Sequence, residues 1–170
     1  MITPVDPAND LVVKSLNYRG RNITYVDHPG TAGCLVYDAR RLKILLVNQF
    51  RPVLSRDTLE IPSGIIEQDE SPQTTATRET LEETGYQVFN LRPLVALCSS
   101  VGLTTEVVHL FWSRDFTRTG ANPETGIDIS WLSIDDALAA AMSSPWVDAK
   151  TLAGLLTLQN LLTRPDGLGP

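Results

Sequence analysis

The chain has 170 residues, of which 42% are hydrophobic and 20% are charged, and its formal net charge is −6. This composition excludes an intrinsically disordered or fibrous protein, and a pI of about 4.8 argues against a large nucleic-acid-binding surface. The length fits one domain with its own hydrophobic core, so we expect a single domain over residues 1–170.

The segment Met1–Leu11 shows no signal-peptide pattern, and no apolar run approaches the ~18 residues that a membrane-spanning helix needs. We therefore expect a cytoplasmic protein with no membrane partner and no nucleic-acid partner. Cys34 and Cys98 each lie within an apolar run, which predicts two small buried core residues and no need for a disulfide.

The first part of the chain reads mostly as strands. Apolar and β-branched residues predict two early strands with a turn at Tyr18–Gly20, then two core strands that form a hairpin or lie side by side. A shorter strand follows, and Pro62 ends it. After a polar lead-in over Met1–Asp10, the predicted strands are Leu11–Leu16, Asn22–Val26, Thr31–Tyr37, Leu42–Gln49 and Thr58–Ile61.

A helix is predicted from Ser71-Pro72, because Ser can cap free N–H groups and Pro fits the first helical position. It ends at Thr84, where Gly85 supplies a stop. The later elements are strands at Val88–Arg92, Leu94–Ser99, Glu106–Ser113 and Asp128–Leu132, helices from Ser133 through Met142 and at Val147–Leu162, and a loose tail over Arg164–Pro170. Strands around one central helix, with two helices at the end, predict an α+β fold with α/β/α layers.

Three glutamates of the central helix, Glu79, Glu82 and Glu83, are spaced i, i+3 and i+4 and therefore project from one face. We expect Thr77, Leu81 and Thr84 to point the other way, toward whatever the helix packs on. The acidic face has two interpretations. It is either a solvated surface or a site for a hard divalent cation, since Mg²⁺ takes carboxylate oxygens as ligands.

The acidic helix completes a longer pattern of fixed spacing, which consists of Gly64, Glu70, Arg78, Glu79, Glu82, Glu83, Gly85 and Tyr86. This pattern resembles the signature of the Nudix hydrolases, which implies a mixed β-sheet core, a central Nudix helix and an N-terminal strand region. It also implies an ion pair between Arg78 and Glu70 that holds the loop against the helix. Thr80 departs from the family, which usually has an aliphatic residue there, and it should face the core.

The same resemblance implies a metal site. Glu79 and Glu83 would be the main ligands, Glu82 would bind further ions, and the backbone carbonyl of Ser63 would complete the coordination. The implied metal is Mg²⁺, with Mn²⁺ as a substitute, and the implied substrate is a small nucleotide.

Three residues outside the helix are implied as substrate contacts. Arg51 and Glu60 stand in a segment that looks like the one before the Nudix signature in ADP-ribose pyrophosphatases and related nucleotide-sugar hydrolases. Arg51 also suits pyrophosphate oxygens on chemical grounds, because its guanidinium is a planar fork. Glu106 lies in a segment that resembles a downstream loop of the same group. That group usually has proline in place of Val101 and an acidic residue in place of Thr105.

Hydrolysis also needs a group that accepts a proton from the attacking water. Relatives place a glutamate on the loop before the strand of Trp131, and Glu124 is the candidate there. Glu82 and Glu106 are the alternatives. We expect His28 and His109 to be structural.

The three tryptophans, Trp112, Trp131 and Trp146, are expected to be core or interface residues rather than platforms on which a base stacks.

The leading hypothesis is therefore an Mg²⁺-dependent pyrophosphatase for ADP-ribose or another nucleoside diphosphate sugar, giving a nucleoside monophosphate and a sugar phosphate. One alternative is a hydrolase for a different specialised nucleotide. Another is a Nudix-fold module that senses a nucleotide without cleaving it, although such modules often lose the signature carboxylates that are present here. Relatives often dimerise by exchanging N-terminal strands, so a homodimer through residues 1–27 is expected.

Overall fold

The computed structural model describes residues 11–164, so the predicted lead-in over Met1–Asp10 and all but the first residue of the predicted tail lie outside the described residues. The strands are β1 (Val12–Tyr18), β2 (Arg21–Asp27), β3 (Thr31–Asp38), β4 (Lys43–Arg51), β5 (Arg56–Glu60), β6 (Ser63–Ile65), β7 (Tyr86–Phe89), β8 (Arg92–Cys98), β9 (Val107–Ser113), β10 (Asp115–Arg118) and β11 (Ile127–Leu132). The helices are α1 (Pro72–Thr84), α2 (Ile134–Ser143) and α3 (Ala149–Thr163).

A seven-stranded mixed sheet forms the centre, with the order β11-β4-β3-β9-β8 and with β5 paired to β4 and β6 paired to β3. Strand β3 runs parallel to β9 and antiparallel to β4, with which it forms the predicted hairpin. Two further sheets, β1-β2 and β7-β10, have two strands each. Because β6 pairs with the start of β3, the chain segment before α1 is fixed against the centre of the sheet.

Both faces of the central sheet are covered, which explains why β3 is buried over almost its whole length. Leu35 and Tyr37 belong to one core cluster, together with residues of α2 and α3. Cys34 and Val36 belong to a second cluster, together with Ala76 of α1. Alternate residues of a strand point to opposite faces, so α1 lies on one side of the sheet and α2 and α3 lie on the other. The predicted α+β fold with α/β/α layers is confirmed.

Helix α1 begins and ends where the sequence predicts. The Ser71 hydroxyl accepts a hydrogen bond from the Thr74 N–H at 3.1 Å, and Pro72 is the first helical residue. Gly85 has a φ of 72°, in the left-handed region that favours glycine, and its N–H donates to the Leu81 carbonyl at 2.8 Å.

The inner face of α1 differs in part from the predicted one. Thr84 is buried as expected, but Thr77 and Leu81 are partly exposed, and Ala76, Thr80 and Glu83 are buried as well. Thr80 does face the core, as expected, and its hydroxyl donates to the Ala76 carbonyl at 2.6 Å. This bond satisfies a polar group where the family usually has an aliphatic one.

Some elements were missed or misplaced by the sequence analysis. Strands β6 and β10 were not predicted, and the strand expected at Val88–Arg92 is β7, which begins at Tyr86 and ends at Phe89. Both missed strands are very short and exist through pairing, β6 with β3 and β10 with β7. Within residues 11–164 no helix is long and apolar enough to cross a membrane.

The prediction that both cysteines are buried is half wrong. Cys34 is buried in the centre of β3, but Cys98 is exposed at the end of β8. The apolar run that contains Cys98 is partly exposed over its whole length, because β8 is the edge strand of the central sheet.

Candidate active site

A buried carboxylate lies where α1 meets β6. Glu83 is only 6% exposed, and its Oε2 accepts a hydrogen bond from the backbone N–H of Ser63 at 3.1 Å. Burial raises the pKa of Glu83 to about 7, and the negative charge of Glu79 adds to the increase, against the lowering effect of the Ser63 hydrogen bond. This carboxylate is therefore held in place but is poorly compensated by positive charge.

Glu79, one turn earlier, lies directly against Gly64. A Cβ atom at position 64 would be 1.9 Å from Oε1 of Glu79, so only glycine leaves room for the carboxylate. Burial raises the pKa of Glu79, and the charges of Glu82 and Glu124 add to the increase, while the hydrogen bond with Arg78 opposes it. Two carboxylates that resist ionisation thus lie beside the backbone of Ser63 and Gly64.

Arg78 joins the loop and the helix. Its Nε and Nη2 donate to the two oxygens of Glu70 at 2.9 Å each, which is the ion pair that the resemblance implies. Its Nη1 donates to Glu79 at 2.7 Å and to Glu82 at 3.1 Å. The acidic face is therefore not simply solvated, because only Glu82 of its three glutamates has a carboxylate that is about half exposed, at 53%.

Carboxylate and carbonyl oxygens are the ligands that a hard divalent cation prefers, and such a cation would supply the positive charge that Glu83 lacks. In this respect the residues fit the metal. Among residues 11–164, however, no group of three or more His, Cys, Asp or Glu side chains is arranged to hold a metal ion. Glu79 and Glu82 both accept hydrogen bonds from Arg78 instead.

A cavity of about 360 Å³ opens beside this carboxylate pair. Of the residues that the sequence predicts for the site, Ser63, Arg51 and Glu106 line the cavity together. Cys98 and Ser99, at the end of β8, line it as well.

Glu60 pairs with two positively charged side chains at one wall of the cavity. Nε and Nη2 of Arg51 donate to its two oxygens at 2.7 Å each, and Lys150 pairs with it from the first turn of α3. Burial opposes ionisation of Glu60, but the hydrogen bond from Arg51 and the charge of Lys150 lower its pKa to about 2. Lys150 also pairs with Asp148 at 3.0 Å. We call Arg51, Glu60, Asp148 and Lys150 the ion cluster.

Sequence reasoning missed Lys150 as a site residue. Lys150 stands within the segment Asp148–Thr151, whose sequence indicates only the start of a helix. Asp148 caps α3 by accepting a hydrogen bond from the Thr151 N–H at 3.0 Å. Nothing in that spacing indicates a partner as distant in sequence as Glu60.

Glu106 also lines this cavity. The Thr31 hydroxyl donates to it at 2.5 Å, and His28 Nε2 is 3.7 Å away. Burial opposes its ionisation, but hydrogen bonds from Ser99 and Thr31 lower the pKa of Glu106. His28 also accepts from the Gly30 N–H through Nδ1 at 2.9 Å, which supports the expected structural role.

Glu124 lies close to the acidic helix although it is far from it in sequence. Its backbone N–H donates to the Glu82 carbonyl at 3.0 Å, and its negative charge contributes to the raised pKa of Glu79. Its side chain is exposed. The loop before β11 is therefore anchored at the site.

The three tryptophans differ in how far they are buried. Trp112 is buried, and Trp131 packs edge to face on Tyr86 with ring centroids 5.6 Å apart. Trp146 is 60% exposed, so of the two expected locations, core or interface, it does not lie in the core. It lies between α2 and α3, in a segment that neither helix covers.

The family model for the NUDIX domain matches residues 27–154, which contain every residue of this site. The chain belongs to the Nudix family. It is 34% identical over 138 residues to an ADP-ribose pyrophosphatase of Bacillus subtilis (strain 168), covering 79% of this chain and 74% of the relative. It is 31% identical over 138 residues to a methanol dehydrogenase activator of Bacillus methanolicus, with the same coverage.

A GDP-mannose pyrophosphatase of Shigella flexneri is 31% identical over 144 residues, which cover 78% of this chain and 75% of the relative. The identification as a Nudix pyrophosphohydrolase is thus confirmed, as are the predicted family and fold.

The buried Glu83 gives a prediction for stability. Its folded pKa of about 7 lies above its ordinary value of 4.5, so in metal-free protein its ionisation lowers the free energy of unfolding as pH rises through this interval. Glu83→Gln should therefore stabilise the protein in EDTA at pH 8 by on the order of 1–3 kcal/mol, and should have little effect at pH 4.

Urea unfolding at both pH values measures this difference, with Glu82→Gln as the matched control because Glu82 lies on the same helix with a half-exposed carboxylate. Glu82→Gln should change the free energy of unfolding by less than Glu83→Gln does at pH 8. If Glu83→Gln and wild type kept the same difference in stability at both pH values, Glu83 would not carry an uncompensated charge.

Proposed function

We propose that this protein hydrolyses the pyrophosphate bond of a nucleoside diphosphate sugar, with ADP-ribose or a related nucleotide sugar as substrate and Mg²⁺ as cofactor, which Mn²⁺ can replace. The products are a nucleoside monophosphate and a sugar phosphate. The observation that carries the proposal is the pair Glu79 and Glu83, of which Glu83 is buried, beside Gly64 at the edge of a cavity lined by Arg51. The pyrophosphatases among its relatives support it.

On this proposal the cation is held by Glu79, Glu83 and the Ser63 carbonyl, with Glu82 available for a further ion. A bound divalent cation neutralises charge on the diphosphate and lowers the pKa of water. The ion pair of Arg78 with Glu70 keeps the loop and helix at a fixed distance.

Arg51 and Glu106, which both line the cavity, are the proposed substrate contacts. The guanidinium of Arg51 is fixed in its plane by two hydrogen bonds to Glu60, which orients it for phosphate oxygens. Glu106 is kept ionised by its own hydrogen-bond donors, so it suits the hydroxyl groups of a sugar.

Glu124 is our proposed proton acceptor for the attacking water. Its loop is anchored to the Glu82 carbonyl, and its exposed carboxylate is close enough to influence Glu79. The alternatives are already engaged: Glu82 accepts from Arg78, and Glu106 accepts from Thr31.

Two residues bear on the choice of sugar and base, because Val101 and Thr105 replace the residues usual in the ADP-ribose group. Val101 is 89% exposed, and the Thr105 hydroxyl accepts from the His28 N–H at 2.9 Å instead of offering a carboxylate. A different nucleotide sugar is therefore the second candidate substrate.

We also propose a cytoplasmic homodimer through the β1-β2 hairpin. This two-stranded sheet exposes Val12, Val13, Leu16 and Tyr18, each by about half. Burial of these residues against a second copy would remove that apolar surface from water. The free thiols of Cys34 and Cys98 suit a reducing compartment.

Sedimentation equilibrium tests the proposed homodimer. A protein that is monomeric at micromolar concentration would contradict it.

The proposed activity is tested with a panel of nucleotide sugars and dinucleotides, Mg²⁺, and identification of the products by mass. We expect cleavage of the pyrophosphate bond of at least one nucleoside diphosphate sugar, and loss of turnover by at least about 100-fold in Glu83→Gln. Glu67→Gln is the control, because Glu67 is exposed and lies outside the carboxylate pair. Failure to cleave any member of the panel would refute the proposal.

A further inference from the structure

A second cavity, of about 480 Å³, opens between the β4–β5 turn and the segment that precedes α3. Four large apolar residues with exposed side chains line it: Val53 at 97%, Leu54 at 46%, Trp146 at 60% and Val147 at 37%. Apolar residues of this size are more often buried, so their concentration around one cavity indicates a surface that binds something.

This cavity adjoins the active-site cavity. The two share Arg51, Asp148, Ala149 and Lys150, three of which belong to the ion cluster. Glu60, which holds Arg51 and Lys150, lines the second cavity as well. The ion cluster therefore forms part of the wall of both cavities. A ligand long enough to extend past Arg51 and Lys150 would occupy both cavities.

Trp146 gives the second cavity an aromatic wall. The guanidinium carbon of Arg56 lies 5.9 Å from the centroid of a Trp146 ring, a distance typical of a cation–π contact. An exposed aromatic side chain at the wall of a cavity suits stacking by a flat ring, which is the chemistry of a nucleobase.

We propose that the second cavity binds the nucleobase of the substrate, which stacks on Trp146 while the diphosphate passes Arg51 and Lys150 toward Gly64. This inference rests on the proposed function, because it takes the substrate to be a nucleotide. The continuity of the two cavities favours a part of the substrate as the occupant over a second copy of the chain.

Binding of nucleoside monophosphates in EDTA tests the cavity without hydrolysis. The probes are AMP, GMP, CMP and UMP, measured by equilibrium dialysis, and the tightest is taken forward. We expect Trp146→Ala to weaken its binding about tenfold, because base stacking on an aromatic side chain is lost. Trp146→Phe, which keeps a ring, should stay within about threefold of wild type.

Two controls distinguish loss of base stacking on Trp146 from a general loss of binding. Phe89→Ala removes an exposed aromatic residue on β7 that lines neither cavity, and it should leave affinity unchanged. Ribose 5-phosphate, which has no base, should bind wild type and Trp146→Ala equally. In turnover, Trp146→Ala should raise KM and leave kcat near that of wild type, because Trp146 lies away from the carboxylate pair.

Unchanged affinity in Trp146→Ala would overturn the proposal. The proposal would also fail if Trp146→Ala lost self-association in sedimentation but bound nucleotide like wild type. The second cavity would then be covered by a second copy of the chain. The failures are distinguishable. A protein that binds nucleoside monophosphates through Trp146 but cleaves no nucleotide sugar rejects the proposed activity alone, whereas normal turnover with unchanged affinity in Trp146→Ala rejects the cavity alone.

Discussion

The close approach of the Glu83 carboxylate to the backbone of β6 is the interaction on which the rest of the site depends. Strand β6 can lie where it does because position 33 is glycine: a Cβ there would be 2.7 Å from both the Pro62 carbonyl oxygen and the Cβ of Ser63. With β6 fixed, its amide donates to Glu83, and Gly64 leaves space for Glu79. Packing of backbone on backbone thus determines where two carboxylates meet.

Charge around these carboxylates is distributed unevenly. Arg78 is shared by Glu70 and the outer carboxylates of α1, while Arg51 and Lys150 are both taken by Glu60. Glu83 is left with a raised pKa in a chain whose net charge is already −6. A carboxylate in this condition lowers the stability of metal-free protein, so its presence is best explained by what it binds. Active sites commonly carry such groups at the expense of stability.

Local chemistry predicted much of the fold. The Ser71 cap, Pro72 and Gly85 correctly predicted where α1 begins and ends, and the apolar run of β3 correctly indicated a core strand. Features made by long-range contact could not be predicted in this way. Strand β6 has three residues and exists through its pairing with β3, and Lys150 finds Glu60 only when α3 packs on the sheet.

Divalent-cation binding tests the central claim most directly. Titration calorimetry with Mn²⁺ should show binding to wild type, with proton release near pH 7 as Glu83 becomes ionised. Glu83→Gln should weaken that binding at least about tenfold and abolish the proton release, while Glu67→Gln should behave like wild type. Equal affinity and equal proton release in wild type and Glu83→Gln would contradict the account, because the buried carboxylate would then not be part of the metal site.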